Sequence, residues 1–397
     1  MKKTKVRTSK ILLWVVSAAL VAILSVSLAF MGVALNRTKN FYKTDFSDLT
    51  GLASKTVLFI GDGMGENHIK TTETYYGERA FMRSLGADGF VTTFSNNVGI
   101  PTDSAAAGSA LATGQKFNNG EVARHGGNNV KSVAEYAKEK GLGVGIVTTD
   151  NLYGATPASF SSHANNRGDT SEIIKGQIND VVDLYLGAGK DEYTKYKSQF
   201  ESKGFTFATS FNDVNGVVGS VLSNKLIMPF SSLPSEDGTA DTPTLEMCTE
   251  FALKFMEARF PGGYFLMIEG AHIDKKSHKN DIIPMTKYLK SFDNSIKIAY
   301  DRLKDLDSAI IVTADHETGG LKYKDGETKD DIKNSLYTTK THTDTNVKYF
   351  IFVKGLSQDE LKAIIPEKID NTDVNRIARS SRRLNINGFK YLTLCGF

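Results

Sequence analysis

The chain has 397 residues, 40% hydrophobic and 23% charged, with 35 Gly and only 8 Pro, a composition that excludes a disordered chain and a fibrous repeat. Its formal net charge is +3, but Lys2, Lys3, Lys5, Arg7 and Lys10 fall in the first ten residues, and setting those five aside leaves 43 basic residues against 45 acidic. The body is therefore close to neutral and lacks the basic face that a nucleic-acid partner requires; the short run Arg379, Arg382 and Arg383 reads as solvated surface.

The elements start with residues 1–10, a basic cytoplasmic segment. Ile11 to Leu35 contains no charged residue and is long enough to cross a bilayer as a helix. It exceeds the core of a usual secretory signal, so an uncleaved transmembrane signal-anchor is favoured over a cleaved signal peptide. Small-residue sites such as Ser27-Leu28-Ala29 keep cleavage, and hence secretion, as the alternative. Either way the positive-inside rule places everything after Leu35 on the extracytoplasmic face of the cell membrane. Residues 36–54 read as a polar stalk and 55–397 as the catalytic domain. Two cysteines, Cys248 and Cys395, are too few for a disulfide framework, and two free thiols are expected.

From Lys55 the pattern is α/β. Val57–Ile60, Val144–Val147, Tyr264–Ile268, Ala309–Val312 and Tyr349–Val353 are short, nearly continuous apolar runs, as expected of strands buried on both faces of a largely parallel central sheet flanked by helices. Helices are predicted over Val130–Lys140, Pro243–Ala258 and Thr286–Lys304. Gly187–Gly238 is the least periodic stretch and is expected to hold surface excursions. The segment after Arg379 fits no element.

Polar residues gather where strands end. Asp62 follows the first strand after one Gly, Glu269 directly follows Ile268, and Asp315 and His316 follow the Ala309–Val312 run. Ligands of open α/β sheets sit outside the carboxyl ends of the strands, so three distant acidic segments point at one edge. In Gly61-Asp62-Gly63-Met64-Gly65 the glycines allow a sharp turn, and the acid within it would repel a pyrophosphate. Pro101-Thr102-Asp103-Ser104-Ala105-Ala106-Ala107-Gly108 would place Ser104 at a helix N-terminus, open to a phosphate; alone, Asp103 or Ser104 reads as an ordinary cap. Asp274 and His278 are four apart, so one helical face can present both to a metal, although a surface pair has the same spacing. Asp315-His316-Glu317-Thr318-Gly319-Gly320 and Thr341-His342-Thr343 complete the set; alone, His342 reads as a surface histidine.

In this order the motifs resemble the alkaline phosphatase family, over about Lys55 to Asp373. The resemblance implies a three-layer α/β fold and hydrolysis of phosphate monoesters through a phosphoserine on Ser104. It implies one zinc held by Asp274, His278 and His342, and a second held by Asp62, Asp315 and His316 with the Ser104 oxygen. A magnesium would share Asp62 and take Glu269 and Thr156. Arg167 would clamp phosphate, held by Asp103, and Lys275 could reach the phosphate through water. Such residue types suit the chemistry: zinc takes His nitrogen and carboxylate oxygen, magnesium takes oxygen alone, and two zinc ions about 4 Å apart can serve the attacking and leaving oxygens of an in-line displacement. The family often carries Asp or His two residues before Thr156, where this chain has Gly154, so weak magnesium affinity is expected. His163 and His272 are read as satisfied structural histidines, while His68 and His125 receive no role. Because the family is frequently dimeric, a homodimer is a further expectation.

Two classes of rival stand beside this reading, another enzyme of the same superfamily and a protein without turnover. A sulfatase would need a Cys/Ser-x-Pro-x-Arg segment, absent after Ser104, and a superfamily phosphodiesterase commonly has Thr as nucleophile. A non-catalytic phosphate- or metal-binding membrane protein would require loss of a catalytic residue, and all are present.

Overall fold

Four of the five apolar runs form the middle of one sheet. The computed structural model describes residues 53–214 and 223–379, together with Val21, Ala22 and Ser25. The chain divides into a first unit, Met1–Asp45, almost wholly outside the described residues, and a second, Phe46–Phe397, that holds every element below. All of the expected Ile11–Leu35 membrane helix but Val21, Ala22 and Ser25, nearly all of the stalk and the segment after Arg379 also lie outside them. Among the described residues no helix is long and apolar enough to cross a membrane.

The strands of the main sheet are β1 (Lys55–Ile60), β2 (Ala87–Thr92), β3 (Gly143–Asn151), β4 (Leu184–Ala188), β5 (Phe205–Phe207), β6 (Lys225–Phe230), β7 (Tyr264–Glu269), β8 (Ser308–Thr313), β9 (Val347–Val353) and β10 (Lys368–Asp370). Their order is β10-β2-β9-β8-β1-β7-β3-β4-β6-β5. Every pairing is parallel except the two made by β9. The largely parallel expectation therefore holds, with one reversed strand. All six residues of β7 and of β8 are buried, which explains why these strands read as apolar runs rather than alternations.

The register aligns the strand ends. Ile60 pairs with Thr313 on one side and Glu269 on the other, and Glu269 pairs with Thr148. The four central strands β8, β1, β7 and β3 thus finish in one row, and the residues that follow share one edge. Because β9 runs antiparallel to β8, with Phe350 opposite Val312, it begins at that same edge. His342 precedes it by a few residues and is delivered there.

The stretch expected to hold surface excursions does hold exposed residues, as at 201–204, but buried strands as well. Residues 187–238 contain β5 and β6, and five of the six residues of β6 are buried. The region was hard to read because its strands and helices are short: Phe205–Phe207, Lys190–Thr194 and Lys197–Ser202 give no period to detect. Pro229 of β6 lies beyond the stretch that pairs with β5, where a missing N–H is tolerated.

Helix boundaries follow caps. Val133–Glu139 starts after Ser132, which forms a capping box with Glu135, and Leu245–Arg259 starts after Thr244, whose hydroxyl accepts from Met247 N–H. The long helix Ile282–Leu303 begins four residues earlier than expected; Pro284 fits its first turn, where the N–H has no helical partner. Cys248 is a free, fully buried thiol.

Candidate active site

Gly63 shows how tightly this edge is built. Its φ of +69° favours glycine, and a Cβ there would lie 2.9 Å from the Asp274 Cα. Its N–H donates to Asp315 Oδ1 at 3.1 Å, and His316 N–H donates to the same oxygen at 2.9 Å. The turn after β1 thereby fixes Asp62 against the residues after β8.

Asp62, Asp315 and His316 form one group able to hold a metal ion, all three buried. His316 Nε2 lies 3.4 Å from Asp62 Oδ1 and 3.3 Å from Asp315 Oδ2. Asp274, His278 and His342 also meet: Asp274 Oδ1 is 3.3 Å from His278 Nε2 and 3.6 Å from His342 Nε2. His316 is close enough to Asp274 and His342 to form a group with them as well, and its ring stacks on His342 at 3.6 Å between centroids.

The histidine tautomers follow from their neighbours. His278 Nδ1 donates to the Lys340 carbonyl at 2.6 Å and His342 Nδ1 to the Thr102 carbonyl at 2.7 Å. His316 Nδ1 contacts Thr318 Oγ1 at 3.2 Å, and that hydroxyl donates to Asp274 Oδ1, so Nδ1 carries the proton. Each Nε2 lone pair then points inward, the arrangement of metal-bound imidazoles. The Nε2 atoms of His278 and His342 lie 3.1 Å apart, and two lone pairs that close need a cation between them.

The oxygens make the same demand. Asp62 Oδ1, Asp315 Oδ2 and Thr156 Oγ1 are buried without a hydrogen-bond partner, a costly condition unless a cation satisfies them. Burial, then the charges of Asp315, Asp274 and Glu269, push the Asp62 carboxyl well above its ordinary range. Burial also lifts Asp315 to about 7 and, with Asp150 nearby, Glu269 to about 8. Burial and its histidine neighbours hold His316 well below the usual range. The donor sets fit divalent cations: His nitrogen with carboxylate for zinc, and the oxygens of Asp62, Glu269 and Thr156 for magnesium.

Ser104 opens the helix Ser104–Thr113, in which every residue is buried, and its Oγ lies 3.2 Å from His316 Nε2. Asp103 caps that helix through Oδ1, while its Oδ2 accepts from Gly120 N–H at 3.0 Å and from Arg167 Nη1 at 3.3 Å. Arg167 therefore stands beside the serine. Lys275 does not point free into the site; its ammonium pairs with Asp150.

A family model described as alkaline phosphatase matches residues 53–205 and 228–386. The chain belongs to the alkaline phosphatase family. It is 31% identical over 293 residues to alkaline phosphatase 3 of Bacillus subtilis, covering 66% of this chain and 61% of that relative. Against alkaline phosphatase 4 of the same organism it is 30% identical over 321 residues, covering 74% and 67%. This chain thus spans about three-fifths to two-thirds of these relatives. Among solved structures, the alkaline phosphatase of the Antarctic bacterium TAB5 superposes with a TM-score of 0.71 at 24% identity, covering 83% of this chain and 98% of that one. That of Thermus thermophilus gives 0.71 at 19%, covering 85% and 94%. These establish the alkaline phosphatase fold.

Three contributors escaped the sequence reading. Thr318 orients both His316 and Asp274, and Thr148 donates to Glu269. Asp150 stands at the carboxyl end of β3, so the strand-end rule that picked out Asp62, Glu269 and Asp315 applied to it as well. Of the other histidines, His163 is satisfied by the Ala123 carbonyl and Glu135. His272 is not, contrary to expectation: its Nδ1 is buried without a partner, and the ring stacks on Tyr288 instead.

Proposed function

We propose that this chain hydrolyses phosphate monoesters to an alcohol and inorganic phosphate through a phosphoserine on Ser104. The observation that carries the reading is the Ser104 hydroxyl, 3.2 Å from His316 Nε2, beside partnerless oxygens of Asp62 and Asp315. Asp274, His278 and His342 would hold one zinc, Asp62, Asp315 and His316 a second, and Asp62, Glu269 and Thr156 a magnesium. When bound, these ions would supply positive charge that acidifies the serine hydroxyl and neutralises phosphoryl oxygens.

Ser104 stands where a helix N-terminus adds its own partial positive charge. Its Oγ attacks phosphorus, the ester P–O bond breaks, and the alcohol leaves. Arg167 offers its planar fork to two phosphoryl oxygens, and Asp103 keeps that fork beside the serine. Water then breaks the Oγ–P bond, releasing phosphate and restoring the hydroxyl. Relatives named as phosphatases support a monoester substrate; one, from Streptomyces griseus, is named for streptomycin 6-phosphate and is 27% identical over 329 residues.

Replacing Ser104→Ala should abolish hydrolysis of an aryl phosphate, by at least about a thousandfold, while zinc content by elemental analysis stays at the wild-type value. Turnover of the variant at the wild-type rate would show that another group is the nucleophile.

A further inference from the structure

Asp150 belongs to no ligand set, yet its carboxylate is tied to residues of the site. Oδ1 accepts from Asn151 N–H at 2.6 Å and from the Lys275 ammonium. Its own N–H donates to Thr148 Oγ1 at 2.9 Å, and that hydroxyl donates to Glu269. The other oxygen, Oδ2, occupies the space above Gly154, where an added Cβ would lie 2.7 Å from it. The Gly154 backbone, at φ −57° and ψ 160°, is open to any L residue, so space rather than conformation favours glycine here.

Lys275 follows Asp274 directly, and its ammonium lies in the field of Glu269 and Asp62 as well as Asp150. Those two carboxylates are the ones assigned to magnesium. An ammonium without a partner of its own would pair with them, and each such contact takes a lone pair that the cation needs.

Resting on the metal reading above, we propose that Asp150 is a positioning residue for the magnesium subsite: it holds the Lys275 ammonium off Glu269 and Asp62, and Gly154 is the space its carboxylate requires. The missing side chain at 154 is then no sign of a weakened site, because the carboxylate arrives from the end of β3 instead. On this reading magnesium binds tightly despite Gly154.

The test uses the full chain, stripped of metal and reloaded with zinc, then titrated with magnesium while the thermal midpoint is followed. Asp150→Asn should raise the half-saturating magnesium concentration about tenfold or more, with zinc content unchanged. Gly154→Ala, whose methyl group would meet both Oδ2 and the Asn151 carbonyl, should do the same. Adding Lys275→Ala to either variant removes the competitor and should restore the wild-type concentration to within about threefold. Should Asp150→Asn fail to fold, the Gly154→Ala pair makes the same comparison. Single variants that titrate like the wild type, or double variants no better than the singles, overturn the proposal. A wild-type chain that shows no magnesium-dependent shift overturns the magnesium reading itself, before any variant is compared.

Discussion

Asp103 shows one carboxylate serving two purposes. Oδ1 caps the Ser104–Thr113 helix through Ala106 N–H at 2.9 Å, while Oδ2 holds Gly120 N–H and Arg167. The substitutions separate these roles. Asp103→Ala loses both and should cost about 1–2 kcal/mol in denaturant unfolding, the usual value of a cap; it should also raise KM for an aryl phosphate. Asp103→Asn keeps a capping oxygen but turns an NH2 group toward Gly120 N–H and Arg167, so it should lose less stability than Asp103→Ala while KM still rises. An unchanged KM in both variants would remove Asp103 from the clamp. The residue types of the site were legible because few other reasons place Asp-His at a strand end. Thr318 and Thr148 were not, because a threonine hydroxyl has uses everywhere and only its partner distinguishes them.

At the next scale, a helix that carries Asp274 and leads into His278 must be anchored to present them. His272–Ser277 has only six residues before His278, too short to hold itself. It is tied through Ser277: Gly65 N–H donates to His68 Nδ1, His68 Nε2 donates to Ser277 Oγ, and that hydroxyl donates to the Ile273 carbonyl. Tyr337 OH lies 3.1 Å from the same oxygen. Burial brings His68 to about 4 from an ordinary 6.5. Because the folded value is the lower one, the stability tied to neutral His68 is complete above pH 6.5 and is lost as pH falls from 6.5 through 4. Its full extent is on the order of 3 kcal/mol. His68→Gln should therefore flatten the fall in thermal midpoint across that window. A variant as acid-sensitive as the wild type would assign the slope to other groups. His68 had no role from sequence, since a histidine three residues past a motif says nothing about what its ring meets.

Across the whole molecule, four strand ends and the start of a reversed fifth strand concentrate Asp62, Glu269, Asp274 and Asp315 in a buried volume near Arg167 and Lys275. A chain without cations stores repulsion there. The folded values of Glu269 and Asp315, about 8 and 7, lie above their ordinary ones. Stability from their neutral forms is thus present at low pH and lost as pH rises through those values. The chelated protein should lose thermal midpoint between pH 6.5 and 8.5, where His68 no longer titrates, while the metal-loaded protein holds steady. Equal slopes for the two forms would mean that these carboxylates carry no cation.

Sequence by itself determined the buried strands and the chemically committed residues that follow them, because an apolar run and the acid behind it are local features of the chain. Tertiary structure decided the strand order, the reversal of β9 that delivers His342, the pairing of Lys275 with Asp150 and the tautomers of His278 and His342. Those depend on which segments lie side by side, and hydrogen-bond partners 62 or more residues away leave no local trace. Lys275 meets Asp150 across 125 positions and His342 meets Thr102 across 240; only a folded sheet, with its register set, brings such distances to a single edge.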